Sequence, residues 1–295
     1  SDSLRQTIKT RLDRVNGLMS TYDPNSELSR FNDSSSGAPF QLSNETVEVL
    51  EIARSVGTDS EGSFEVTVGP LVDLYGFGPD GRPDSPPGPE RIREVLDYVG
   101  PDTWSLRGDS VVKHKPKARI DLSAVAKGYA VDEVARTLEG NGFRAYLVEV
   151  GGEVRASGFK ADGTPFRVGI EEPVEDSRRV HAVLGLTDGS LATSGNYRNV
   201  YEQDGVRYVH TIDPKTGKPV AHRLLSASVV HNSCAIADAW ATALMAAGDE
   251  AWALAQRNSL DVLLIYAGAD GTLEEKSTKA VDAIRLESAP ALAEK

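Results

Sequence analysis

The stretch Arg119–Gly158, RIDLSAVAKGYAVDEVARTLEGNGFRAYLVEVGGEVRASG, is the part of the chain around which the rest is arranged. A short apolar strand pattern ends at Asp121 and Leu122. From about Ala124 a helical spacing carries Val125, Tyr129, Val131, Val134 and Leu138. The helix is expected to stop at Gly140-Asn141-Gly142, where glycines permit the positive φ of a C-terminal cap. AYLVEV then reads as a buried strand that ends abruptly at Gly151-Gly152. This order brings Asp121, Lys127 and the double glycine to one edge of a sheet. Glycine there lets a ligand approach the backbone, and Lys127 supplies charge for a phosphate.

Working outward, 295 residues bury a proper core without staples, as one large unit or two modest ones. A net charge of -12 and a pI near 5.0 argue against a nucleic-acid-binding surface and for a protein or small-molecule partner. The single cysteine, Cys234, excludes an internal disulfide and a CxxC site, and reads as a small core residue. No run approaches the ~20 apolar residues of a membrane span, and no signal-peptide pattern precedes Ser1. A chain that starts without an initiator methionine reads as a processed or truncated form.

Before the central stretch, Leu4, Ile8, Leu12, Val15 and Leu18 predict an amphipathic helix to about Met19. A short helix is expected at Ser26-Glu27-Leu28-Ser29, another from Asn44 to Val56 behind a Ser43 cap, and another from Glu90 to Val99. Residues 62–89 are too irregular for one element and too aromatic for a flexible linker. Their Gly/Pro part, 78–89, is where a subdivision of the single 1–295 unit would fall. Short strands are expected at Trp104–Leu106 and Ser110–Lys113. After Gly158 the chain is mostly strand: FRVGI, RVHAVLGLT, SLATSG, YVHTI and SASVVHNS. AIADAWATALMAAGDEAWALAQR predicts a helix broken near Gly248, LDVLLIYA a final buried strand, and residues 289–295 a frayed tail.

Several residues are suited to chemistry. Asp238 and Thr242 lie four apart on a predicted helix and share a face, so their oxygens suit a hard cation such as Mg²⁺. The competing reading is structural, because Asp is favoured near a helix N-terminus and Thr bonds its own backbone. His210, at a strand end before a turn, is the best general-base candidate, since imidazole titrates near neutrality. The five histidines form no HxxxH or HxH, which makes zinc improbable. Thr193, Ser194, Gly195 and Asn196 read as a tight turn able to grip a polar ligand. Gly151-Gly152 lacks the spacing of a Rossmann fingerprint, and no P-loop or GxSxG is present.

In combination these segments resemble the ApbE-like FAD:protein FMN transferases. The resemblance spans nearly the whole chain: MSTYDPNSELSRFN (19–32), GSFEVTVGPLVDLYGFGP (62–79), IDLSAVAKGYAVD (120–132), LVEVGGEVRASG (147–158), LATSGNYRN (191–199), HTIDPKTGKPV (210–220) and SCAIADAWATAL (233–244). Departures are Tyr75 where Trp is expected and Glu65 where Asp is usual. The resemblance implies an α+β, T-fold-related architecture of mixed or antiparallel sheets with packed helices and FAD in a central cleft. It implies Mg²⁺-dependent transfer of the FMN half of FAD to a Ser or Thr hydroxyl of a client flavoprotein, with release of AMP. Asp238, Thr242 and the Ala124 carbonyl would hold the metal. Met19, Tyr22 and Tyr75 would line the flavin side, Asp121, Lys127, Glu149 and Gly151 the adenosine and phosphate side. Thr193, Ser194 and His210 would lie near the pyrophosphate, with His210 as base. A periplasmic address follows by resemblance, with a lipid anchor on the precursor. Two alternatives stand beside this reading: an FAD pyrophosphatase giving FMN and AMP, and a noncatalytic flavin-binding protein.

Overall fold

The structure, a computed structural model, describes residues 2–35, 37–78, 81–174, 179–197, 200–203 and 205–286. Helix α1 (Asp2–Met19) buries Val15, Leu18 and Met19. Ser26 accepts the Ser29 N–H and starts α2 (Glu27–Asp33); after β1 (Phe40–Gln41), Ser43 accepts the Thr46 N–H and starts α3 (Asn44–Asp59). Among the described residues the Gly/Pro-rich region yields only a 3-10 turn at Val66–Val68 and the short α4 (Gly69–Leu74), with α5 (Pro89–Leu96) opened by its proline. Strands β2 (Trp104–Arg107) and β3 (Ser110–Lys113) form a small sheet with β1.

The central stretch gives α6 (Ser123–Gly140), β4 (Tyr146–Val150) and β5 (Glu153–Ser157). Gly142, at φ +85°, lies at the expected stop of α6. Gly151 and Gly152, at φ +66° and +104°, make the two-residue turn that pairs β4 with β5. The strand-rich half contributes β6 (Phe166–Glu171), β7 (Val180–Leu186), β8 (Asp188–Gly195), β9 (Val200–Gln203), β10 (Val206–Val209), β11 (Ile212–Asp213), β12 (Lys218–Pro219) and β13 (Leu224–His231). The C-terminal part holds α7 (Cys234–Ala247), α8 (Ala251–Arg257), β14 (Asp261–Ala267), β15 (Leu273–Ser277), α9 (Lys279–Ala283) and β16 (Arg285–Leu286).

The architecture is α+β, and every strand pair among the described residues is antiparallel. The large sheet runs β15-β14-β13-β8-β5-β4; a smaller one runs β16-β7-β6. Strand β14 shows how they stack. Val262, Leu264 and Tyr266 belong to the core shared with α1, α3, α6 and α7, whereas Leu263 and Ile265 pack with Val168, Ile170 and Leu184 of the smaller sheet. A strand buried on both faces reads as an unbroken apolar run, which is why LDVLLIYA does not alternate. Among the described residues no helix is long and apolar enough to cross a membrane.

Three expectations change. The segment ending at Asp121 is not a strand: the Asn32 side chain takes the place of a neighbouring strand, accepting the Ile120 N–H (2.8 Å) and donating to the Ile120 carbonyl (2.8 Å). AYLVEV is the outer strand of its sheet and is packed on one face: Tyr146 and Val148 are buried with Val131, Val134 and Ala135 of α6, while Leu147 and Glu149 on the opposite face are exposed. Thr193, Ser194 and Gly195 lie inside β8, paired with β13, because the strand continues through the polar residues; the turn begins only at Asn196. As expected, β14 is the final buried strand among the described residues; the charged β15 beside it and β16 beside β7 follow without a buried residue. The tail 289–295 lies outside the described residues.

Candidate active site

A cleft of about 930 Å³ opens where the start of α6, the β4–β5 turn, β6, the end of β8, the segment from His210 to Pro214 and the middle of α7 converge. That volume is at the upper end of the ~300–1,000 Å³ usual for ligand pockets. Of the residues singled out above, Asp121, Ala124, Lys127, Glu149, Gly151, Thr193, Ser194, His210, Asp238 and Thr242 line it. Met19, Tyr22 and Tyr75 are not among the lining residues. Met19 is buried in the core against the helical layer, and Tyr22 is exposed on the loop after α1. Tyr75 is buried with Leu71, Ile92 and Ile212, and its carbonyl accepts the Tyr201 hydroxyl.

The backbone around Asp121 is held on both sides, since the next amide after the Asn32 clamp, that of Asp121 itself, donates to the Val66 carbonyl at 2.7 Å. Asp121 turns Oδ1 back to accept the Ser123 N–H (2.8 Å) and O–H (2.6 Å), which opens α6. From α6, Lys127 reaches the cleft and donates to Glu153; its Nζ also lies 3.9 Å from Asp238 Oδ1. The Lys127 stem passes close to Gly151, where a Cβ would sit 3.2 Å from Lys127 Cδ. On the other side, Ser194 Oγ and Thr242 Oγ1 are 3.2 Å apart, and Thr193 bonds Ser228 at 2.8 Å. His210 stands between β10 and β11 with its ring edge-on to Phe77.

Asp238 is 2 % exposed, and burial pushes its carboxyl up to about 7, with Lys127 opposing the shift and Glu153 adding to it. Burial also raises Glu153, again against Lys127. For Lys127, burial disfavours the ammonium, but Asp238 and Glu153 outweigh it and hold its pKa above the usual lysine value. Glu153 escaped the sequence reading because nothing in Gly-Gly-Glu distinguishes a buried partner of Lys127 from the exposed first residue of a hairpin strand.

The donor set fits a hard cation. Among the described residues there is no cluster of three or more His, Cys, Asp or Glu side chains, so no all-protein cage is present. Mg²⁺ does not need one, being held commonly by one or two carboxylates together with substrate phosphates. Asp238 and Thr242 present carboxylate and hydroxyl oxygens to the same cleft as Ala124. Gly128 N–H donates to Asp238 Oδ2 at 3.0 Å, so the Ala124 carbonyl, one turn earlier in α6, does not have that donor to itself.

Comparison with known proteins agrees with this architecture. The ApbE family model matches residues 2–264. The chain is 44% identical to the FAD:protein FMN transferase of Vibrio cholerae, covering 94% of this chain and 84% of that one. It is 38% identical to the protein of the same name from Escherichia coli K12, covering 92% and 78%. Among solved structures, flavin transferase ApbE from Vibrio cholerae superposes with a TM-score of 0.89 at 41% identity over 96% of this chain and 91% of that one. The apo flavinyl transferase ApbE of Pseudomonas stutzeri gives 0.88 at 35% identity, covering 96% and 88%. With the family model spanning most of its length and the fold reproduced throughout, the chain belongs to the ApbE family.

Proposed function

We propose that this protein is an FAD:protein FMN transferase, which moves the FMN half of FAD to a Ser or Thr hydroxyl of a client flavoprotein and releases AMP. The observation that carries the reading is the meeting, in one cleft, of an oxygen donor set (Asp238, Thr242, Ala124), a lysine held among carboxylates, and His210. Relatives named for this activity support it.

In this reading Asp238, Thr242 and the Ala124 carbonyl hold Mg²⁺, which when bound withdraws charge from the pyrophosphate. Lys127, kept in place by Glu153, adds a second positive charge beside the phosphates. The acceptor hydroxyl is a poor nucleophile at neutral pH, and His210 takes its proton as the oxygen bonds to the FMN phosphorus. The bridging P–O bond breaks, and its electron pair leaves on the AMP phosphate. Asp121, Glu149 and Gly151 flank the adenosine and phosphate side; Thr193 and Ser194 lie by the pyrophosphate. A periplasmic address on a lipid-anchored precursor belongs to the same proposal.

The test is incubation with FAD, Mg²⁺ and a domain bearing a Ser/Thr acceptor motif, followed by mass spectrometry and AMP detection. One FMN-sized mass gained per acceptor with equimolar AMP is expected, and His210→Ala should bind FAD but not transfer. AMP and free FMN with no modified acceptor would point to hydrolysis. FAD intact across several acceptors and metals would leave only a flavin-binding role.

A further inference from the structure

The oxygen donors proposed for the metal come from two helices, Ala124 from α6 and Asp238 and Thr242 from α7. Their spacing depends on how α7 is seated on α6. At that junction stands Asp132, in α6 and 1% exposed, which the reactions above do not use. Its Oδ1 accepts Arg155 Nη1 (2.6 Å) and the Cys234 N–H (3.1 Å); its Oδ2 accepts the Ser233 hydroxyl (2.8 Å) and the Ala235 N–H (3.1 Å). Four donors fill the roughly four acceptor sites of a carboxylate. Two of them are first-turn N–H groups of α7, which an α-helix cannot satisfy from within. Ser233, the N-cap itself, accepts the third, from Ile236 (3.4 Å). The negative charge also suits the positive end of the α7 dipole.

One turn before Asp132, Gly128 lets the helix backbones touch: a Cβ there would lie 2.3 Å from the Cys234 carbonyl oxygen. One turn into α7, Asp238 accepts the Gly128 N–H. The helices are therefore pinned at two successive levels, and the upper pin is a carboxylate with no access to the cleft.

We propose that Asp132 is a positioning residue for the divalent cation, setting α7 on α6 so that Asp238 and Thr242 reach the distance from Ala124 that the cation requires. The proposal rests on the metal site described above. In Asp132→Asn one acceptor oxygen becomes an NH₂ donor. Whichever way the amide turns, at least one first-turn N–H of α7 then faces a donor, and α7 must shift.

The test is Mn²⁺ binding to the FAD-saturated protein without acceptor, followed by the EPR signal of free Mn²⁺ well below the melting temperature. Asp132→Asn should weaken Mn²⁺ about tenfold, the lower end of what outer-shell changes cost, and raise the Mn²⁺ needed for half-maximal turnover while largely sparing kcat at saturation. Ser233→Ala removes one bond to Asp132 without altering charge and serves if the first variant does not fold. It should weaken Mn²⁺ about threefold, a fraction of that outer-shell loss. A lower melting temperature with wild-type Mn²⁺ affinity in these variants assigns Asp132 to stability alone and overturns the proposal. Asp238→Ala is the control for the site itself: wild-type Mn²⁺ affinity there removes the metal site, and the positioning role with it.

Discussion

Gly128→Ala sets two physical effects against each other. Inside a helix, Ala is favoured over Gly by about 1 kcal/mol, so α6 in isolation should gain stability. In the folded protein the new Cβ would lie 2.3 Å from the Cys234 oxygen, 2.6 Å from its carbonyl carbon and 2.8 Å from the Ala235 Cα. All three are backbone atoms, so no side chain can swing away. Restoring ordinary contact at about 3.4 Å means parting α6 and α7 by roughly 1 Å at this level, the difference between 3.4 and 2.3 Å. Overpacking of this kind costs about 1–3 kcal/mol. A rigid backbone contact belongs at the upper end, leaving a net loss of about 2 kcal/mol after the helix gain. With an unfolding entropy of about 2.1 cal/mol/K per residue, 295 residues convert that loss to a Tm lower by about 3 °C. The same separation would stretch the 3.0 Å bond from Gly128 to Asp238 beyond hydrogen-bond range, so Mg²⁺ dependence should shift to higher concentration. Scanning calorimetry with a metal titration measures both. A variant as stable as the wild type, or more stable, would falsify the close approach of these helices.

Asn32→Leu should destabilise by about 2–6 kcal/mol, since the Ile120 N–H and carbonyl lose their buried partners at about 1–3 kcal/mol each; urea unfolding measures it, and a change under 1 kcal/mol would contradict the clamp. Lys127→Met should raise the KM for FAD about tenfold or more, the equivalent of one charged hydrogen bond of about 1.5–3 kcal/mol, and an unchanged KM would take Lys127 away from the phosphates. The paired bonds from Arg285, burial working against them and His181 adding to them, hold the Glu275 carboxyl below its ordinary 4.5. A depressed carboxylate contributes stability above the unfolded pKa and loses it as pH falls through the folded one. Arg285→Gln should therefore cost stability at pH 6 and progressively less as the pH falls through the folded Glu275 pKa; a loss that does not shrink on acidification would assign the effect to packing.

Much of this was legible in the linear chain because its causes are local. Ser26 and Ser43 accept the N–H groups of their own first turns, and Gly142 and the Gly151-Gly152 pair supply positive φ without reference to the rest of the molecule. The pairing of Asp238 with Thr242 on one face follows from helix geometry alone, and both line the cleft. The misreadings arise where a distant group replaces a local partner. Ile120 looked like strand because of the short apolar pattern around it, but its backbone N–H and carbonyl pair with a side chain from α2, 88 positions away. AYLVEV looked buried because an apolar outer strand and a central one share a composition.

The chain's own pattern specifies the helices, most of the strands and the residue types needed for phosphate chemistry, since periodicity, caps and turns act over a few residues. It contains nothing that tells Glu153 from any other strand glutamate or Asp132 from any other helix aspartate. Those roles arise on folding, when Lys127 meets Glu153 across the β4–β5 turn and α7 lands on α6 with its free N–H groups against Asp132. A buried carboxylate is stable only where donors converge on it, and here they come from residues 23 to 103 positions away. That convergence is a property of the packed molecule.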